Sequence, residues 1–151
     1  KYKVHAVTSY RASHIDSTIL PLSSKKVLIN SIRVPKKRVP AVFKKWHKIF
    51  HSEMAEVPDY ELKFQENIRD KAYNKLMDLN VNSHLNAISS PWAGLNVLSI
   101  NPNTVLVDKR QIKLIKKLES EKFNVIRVRL RHCYTMLGGL HCSTLDIHRS
   151  K

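Results

Sequence analysis

Asn96-Val97-Leu98-Ser99-Ile100-Asn101-Pro102-Asn103-Thr104-Val105-Leu106-Val107 is the most legible stretch of this chain. Two short apolar runs flank an Asn-Pro-Asn turn, so Asn96–Ile100 and Thr104–Val107 are expected to be joined strands. Asp108 follows as the expected cap of a helix from about Arg110 to Glu121, with Ile112, Ile115 and Leu118 inward. Asn124–Leu130 then sets Val125, Arg127 and Arg129 against Ile126, Val128 and Leu130, the period of a half-buried strand. The order strand, strand, helix, strand implies an α/β or α+β fold of short mixed sheets packed on helices.

Working outward, Gly138-Gly139 opens a loop that leads to His141-Cys142, and Ser143–Ile147 reads as a closing strand. Upstream, Tyr2–Thr8 alternates loosely and reads as a strand, followed by a loop carrying His14-Ile15-Asp16. Lys26–Asn30 is a second strand, apolar enough to be buried. A basic segment from Arg33 to Arg38, punctuated by Pro35 and Pro40, precedes an expected helix from about Val42 to His51. That helix rests on Phe43, Trp46, Ile49 and Phe50 at spacings of three and four. After the break at Pro58, Asp59 is placed as N-cap of a second helix from about Tyr60 to Leu79, with Leu62, Ile68, Ala72, Leu76 and Leu79 as its stripe. Val81 to Pro91 reads as loop. No internal repeat is strong enough to quote.

Composition narrows the class. The 151 residues suffice for one domain with its own core. Lys1–Thr8 reads as the middle of a strand, so the chain is expected to be cut from something longer. The formal charge of +15, from 27 Lys+Arg against 12 Asp+Glu, points to an anionic partner or to acidic sequence elsewhere in the parent. Two cysteines, Cys133 and Cys142, are too few for a disulfide scaffold, so reduced thiols and an intracellular location are expected. No apolar run is long enough to span a membrane.

Cys142 is the candidate nucleophile. The paired glycines before it let backbone approach a ligand closely and can present the thiol at the mouth of a cleft. A nucleophilic cysteine needs a base or a positive field. His14, in a polar loop two residues before Asp16, is the candidate partner among eight histidines. His141 is a poor base for its neighbour on an extended segment, because adjacent side chains there point to opposite faces. The pairs His132-Cys133 and His141-Cys142 put adjacent ligands in each pair, an unusual zinc geometry, so no metal is expected.

Gly138-Gly139-Leu140-His141-Cys142-Ser143-Thr144, with Asp146 and Arg149, resembles the C-terminal motif of the arginine:glycine amidinotransferases. Ser89-Ser90-x-Trp92-x-x-x-Asn96-Val97-Leu98 and His14-Ile15-Asp16-x-Thr18 resemble two further motifs of that family, in order and at consistent spacing. The resemblance implies a pentein fold, a five-bladed α/β propeller, of which this chain would be the C-terminal part, about its last two strand-strand-helix-strand modules. Residues 35–86 match the family pattern least and read as a basic helical insertion.

The resemblance also implies the chemistry. Cys142 attacks the guanidinium carbon of arginine and His14 protonates the departing amine. An amidino-cysteine remains, and an acceptor such as glycine takes the amidino group to give guanidinoacetate. Asp16 matches the residue that anchors the guanidinium, Arg33 the residue that binds the substrate carboxylate, and Ser89 and Ser90 positions that hold the amino-acid end. No cofactor is implied. The expected partners are small molecules, arginine and an amine acceptor, with the rest of the same domain; a homodimer fits this picture. A mitochondrial address would need a segment upstream of Lys1. The aspartate that orients the histidine would also lie upstream of Lys1, so these residues alone are expected to be inactive.

Two other readings compete. Water in place of the amine makes the enzyme an arginine deiminase-like hydrolase. Alternatively Lys36-Lys37-Arg38 with Lys44-Lys45-Trp46 and Lys48 makes a nucleic-acid surface, although a solvated face is the favoured reading of that run.

Overall fold

Val27-Leu28-Ile29 sits in the middle of a three-stranded sheet, where an uninterrupted apolar run belongs. The computed structural model describes residues 4–7, 15–53, 59, 63, 67, 70–71, 95–130 and 138–145. Strands β1 (Ile19–Pro21), β2 (Lys26–Asn30) and β3 (His47–His51) form the first sheet in that order. β1 runs antiparallel to β2, with Leu20 opposite Leu28, and β3 runs parallel to it, with Ile49 opposite Leu28. Pro21 lies on the edge strand, where a missing N–H is tolerated.

The second sheet repeats the plan. β4 (Leu98–Asn101) and β5 (Thr104–Asp108) are antiparallel, and β6 (Asn124–Val128) is parallel to β5. Between β5 and β6 runs a helix, Ile112–Ser120. It ends in a double turn: Lys122 N–H donates to Glu119 C=O at 3.0 Å and Phe123 N–H to Leu118 C=O at 3.1 Å. Lys122 takes φ 66° there, a conformation that favours glycine. Each sheet is therefore a hairpin, a crossover and a parallel third strand.

One core binds the two sheets together. Leu20, Leu28 and Ile49 of the first sheet pack with Val105 and Val107 of the second and with Leu114, Ile115 and Leu118 of the helix. Polar contacts reinforce that junction. Lys26 Nζ donates to Glu121 C=O at 2.9 Å, at the helix C-terminus where a cation is favoured, and lies over the Phe123 ring. His47 meets Glu121 at 2.6 Å, Lys113 pairs with Glu53, and the Ser99 hydroxyl donates to Leu22 C=O at 2.6 Å. The other face of the first sheet carries Ile19, Val27, Ile29 and Phe50. It is covered by its own crossover, through Val34, Val39, Phe43 and Trp46.

Several expectations need correction. The helix expected from Val42 to His51 is a single 3₁₀ turn, Ala41–Phe43, followed by β3. Phe43 and Trp46 share a face at spacing three, which a 3₁₀ turn also satisfies. Ile49 and Phe50 then go to opposite faces of the strand, one to each apolar cluster. Val4–Val7 is not strand: those residues are exposed and have no ladder partner among the described residues, and a strand exists only where a neighbour takes its hydrogen bonds. Ser143 ends a turn, with its N–H bonded back to Gly139 C=O at 3.2 Å, and Thr144 and Leu145 are not strand; the rest of the expected closing strand lies outside the described residues.

The helix starts at Ile112, not Arg110, because the Asp108 carboxylate is taken by the Arg110 guanidinium at 3.1 Å, which also donates to Leu130 C=O. Its inward face is Leu114, Ile115 and Leu118, and Ile112 is left exposed. β1 was not expected at all. Of the second expected helix, the described residues Asp59, Lys63, Asn67, Asp70 and Lys71 are helical and exposed; its apolar stripe lies outside the described residues. Among the described residues neither sheet closes on itself.

Candidate active site

The site is assembled where the start of β1 meets the loop after the paired glycines. Residues 15–18 form a turn closed by Thr18 N–H and Ile19 N–H on Ile15 C=O, at 2.9 and 2.7 Å. Asn30, 1% exposed, locks that turn to the next one. Its amide donates to Ser17 C=O at 3.3 Å, and its Oδ1 accepts the N–H groups of Ile32 and Arg33. Arg33 is thereby folded back over the same turn, donating to the Ser17 and Thr18 hydroxyls at 3.0 Å each. Arg33 is so held against the two residues that follow Asp16 in the chain.

Cys142 arrives from the other side. Residues 140–143 turn tightly, and the Ser143 hydroxyl donates to Gly139 C=O at 2.8 Å. Asn96, at the start of the second hairpin and 3% exposed, grips this turn: its Oδ1 accepts the Cys142 N–H at 2.8 Å, and its backbone carbonyl accepts the His141 N–H at 3.4 Å. The exposed Cys142 thiol then donates to Asp16 Oδ2 at 3.0 Å. His141 Nδ1 lies 3.1 Å from that same oxygen. The second Asp16 oxygen, Oδ1, is buried and has no hydrogen-bond partner among the described residues.

Charge is distributed unevenly across this cluster. Burial works to raise the Asp16 pKa, but hydrogen bonds from Cys142, Asn96 and His141 outweigh it and hold the carboxyl below its ordinary range. For Cys142 the balance goes the other way. Burial and the adjacent Asp16 carboxylate push the thiol up, against help from the Gly139 backbone and Asn96. The resting pair is therefore a carboxylate holding a protonated thiol. A planar cation set against Asp16 is the species such a carboxylate would bind in place of the thiol.

The structure thus joins Cys142 to Asp16, while Arg33 bonds the neighbouring Ser17 and Thr18. His14, Ser89 and Ser90, the remaining expected site residues, lie outside the described residues, as do Cys133, Asp146 and Arg149. The expectation that His141 points away from Cys142 is overturned. The backbone there is a turn rather than extended, so both side chains reach one oxygen. Asn96 is not among the expected site residues, although a polar residue opening an apolar run is a signal. Among the described residues no group is placed to hold a metal ion, and no helix is long and apolar enough to cross a membrane.

Comparison with known proteins adds the family. Residues 3–149 match the family model described as arginine deiminase. The chain belongs to that family. It is 33% identical to inosamine-phosphate amidinotransferase 1 of Streptomyces glaucescens over 99% of its length and 36% of the relative. It is 27% identical to the mitochondrial glycine amidinotransferase of Gallus gallus, over 98% of the chain and 30% of the relative. The solved inosamine-phosphate amidinotransferase of Streptomyces griseus superposes with a TM-score of 0.76 at 32% identity, covering 99% of this chain and 37% of that one. The chain therefore spans about a third of the length of the relatives it matches.

Proposed function

We propose that this chain is the nucleophile-bearing part of an amidinotransferase that takes the amidino group of L-arginine onto Cys142 and passes it to an amine. The observation that carries the reading is the Cys142 thiol 3.0 Å from Asp16 Oδ2. A guanidinium presents in-plane N–H donors that two carboxylate oxygens can accept together. Binding there replaces the thiol on Asp16 and sets the guanidinium carbon next to the sulfur.

The steps balance without any further reagent. Sulfur bonds to the guanidinium carbon, and the bond from that carbon to the side-chain nitrogen of arginine breaks. The thiol proton passes through His14 to the leaving amine, and ornithine departs. The acceptor amine then attacks the amidino carbon, the C–S bond breaks, and the amine's proton returns through His14 to the sulfur. Arg33, pre-set by Ser17 and Thr18, takes the substrate α-carboxylate, and Ser89 and Ser90 hold the amino-acid end. In this reading the two sheets are two blades of a five-bladed propeller whose other blades lie in the rest of the protein, and residues 35–86 contain what is added to the family pattern. Glycine and an inosamine phosphate, named by the relatives, are the acceptor chemistries to try first.

The matched family model is described as arginine deiminase, which favours water as the alternative acceptor. The test is to incubate the intact protein with guanidino-labelled arginine, with and without an amine. Label on the Cys142 peptide, absent in Cys142→Ser and kept in Cys133→Ser, together with ornithine and an amidinated amine, is the expected result. Citrulline as the sole product would move the reading to hydrolysis, and label retained in Cys142→Ser would sink it.

A further inference from the structure

Asn96 makes contacts that no general packing role requires. It stands at the foot of the second hairpin, yet both its acceptors are spent on the turn that carries the nucleophile: Oδ1 on the Cys142 N–H at 2.8 Å and its C=O on the His141 N–H at 3.4 Å. Two consecutive backbone donors are thereby fixed to one residue. That holds the peptide joining His141 to Cys142, and with it the direction in which both side chains leave the backbone. With 3% of its surface exposed, the amide is shielded from competing water.

We propose that Asn96 is the positioning residue of this site, holding the turn that carries Cys142 against Asp16 through its side-chain and backbone acceptors. The inference rests on the amidinotransfer reading only for its effect on turnover. Its effect on the sulfur itself exists whatever the substrate. A shift of about 1 Å in a nucleophile can slow a reaction on the order of 100-fold without weakening substrate binding to match.

Two variants test the hold. Asn96→Ala removes the side-chain acceptor and keeps the backbone carbonyl. Asn96→Asp is nearly isosteric and keeps an acceptor for the Cys142 N–H. Iodoacetamide alkylation of Cys142, followed across pH by mass spectrometry of its peptide in the intact protein, reads the thiol directly and needs no arginine. Asn96→Ala is expected to change the alkylation profile. In steady-state transfer, Asn96→Ala should lose on the order of 100-fold in kcat with KM nearly unchanged. Asn96→Asp should recover part of that loss. A wild-type alkylation profile and kcat in Asn96→Ala would overturn the proposal, and Asn96→Ser, whose hydroxyl is too short to replace the amide oxygen, gives the same reading where Asn96→Ala does not fold. Wild-type protein that takes no label from arginine would end the amidinotransfer reading while leaving the alkylation comparison intact.

Discussion

The two sheets share a topology but not the means of building it. In the second, an amphipathic helix connects the parallel strands and buries Leu114, Ile115 and Leu118. In the first, the same connection is made by residues 31–46, with two 3₁₀ turns, Lys36–Arg38 and Ala41–Phe43, and no α-helix. Both crossovers succeed because a parallel pair needs only a connection long enough to return and apolar enough to cover a face. The helix covers two faces at once, its own sheet and the first sheet, whereas the 3₁₀ segment covers only the sheet it belongs to. Between Asp16 and Glu53 the chain carries no acidic residue, so the first unit is also uniformly cationic. That charge lies on the outside of its crossover, while Val34, Val39, Phe43 and Trp46 make the apolar contact.

The largest expected effect comes from attacking the shared layer. Leu118→Ala should destabilise the protein by about 2 to 5 kcal/mol and lower the urea midpoints of both sheets together. Phe43→Leu removes an edge-to-face contact with Trp46, whose ring centroid is 5.1 Å away, and should cost about 1 kcal/mol, confined to the first sheet. Hydrogen exchange resolves the two cases. Equal deprotection of both sheets by Phe43→Leu would erase the distinction between the crossovers. The helix side can be sharpened in the opposite direction. Lys122 holds φ 66°, so Lys122→Gly should stabilise by about 1 kcal/mol in urea titration; a loss would mean that the Lys122 side chain matters more than its backbone.

The smallest effect is set by pH. His51 lies on the first sheet's face toward the helix and is held below the ordinary histidine range, first by burial and then by Lys113 and Lys117, against Glu53. An imidazole with a lowered folded pKa contributes its full stability above the unfolded value of 6.5 and loses it as pH falls below that, because the unfolded chain takes up the proton first. Melting temperature should therefore drop on acidification from about pH 7.5 to about pH 5.5, and His51→Gln should flatten the drop. An identical slope in the variant would remove His51 from the account.

Legibility followed the same divide. The second unit could be read almost whole: Asn101-Pro102-Asn103 announced its hairpin, and one clean 3.6-residue period announced its helix. In the first unit Phe43, Trp46, Ile49 and Phe50 imitated that period while belonging to a 3₁₀ turn and a strand. β1 escaped notice because three residues ending in Pro21 leave no alternation to detect. At the site, Cys142 and Asp16 were nominated through motifs that resemble a known family. Asn96 and His141 stand in the same motifs, but their contacts with Cys142 and Asp16 depend on a backbone turn that residue identities at 138–143 do not specify.

The junction made by Lys26, Glu121, His47 and Ser99 around a single apolar cluster has a mechanical corollary. The first sheet gives Leu20, Leu28 and Ile49 to that cluster and the second gives Val105 and Val107, so any parting of the two would wet both at once.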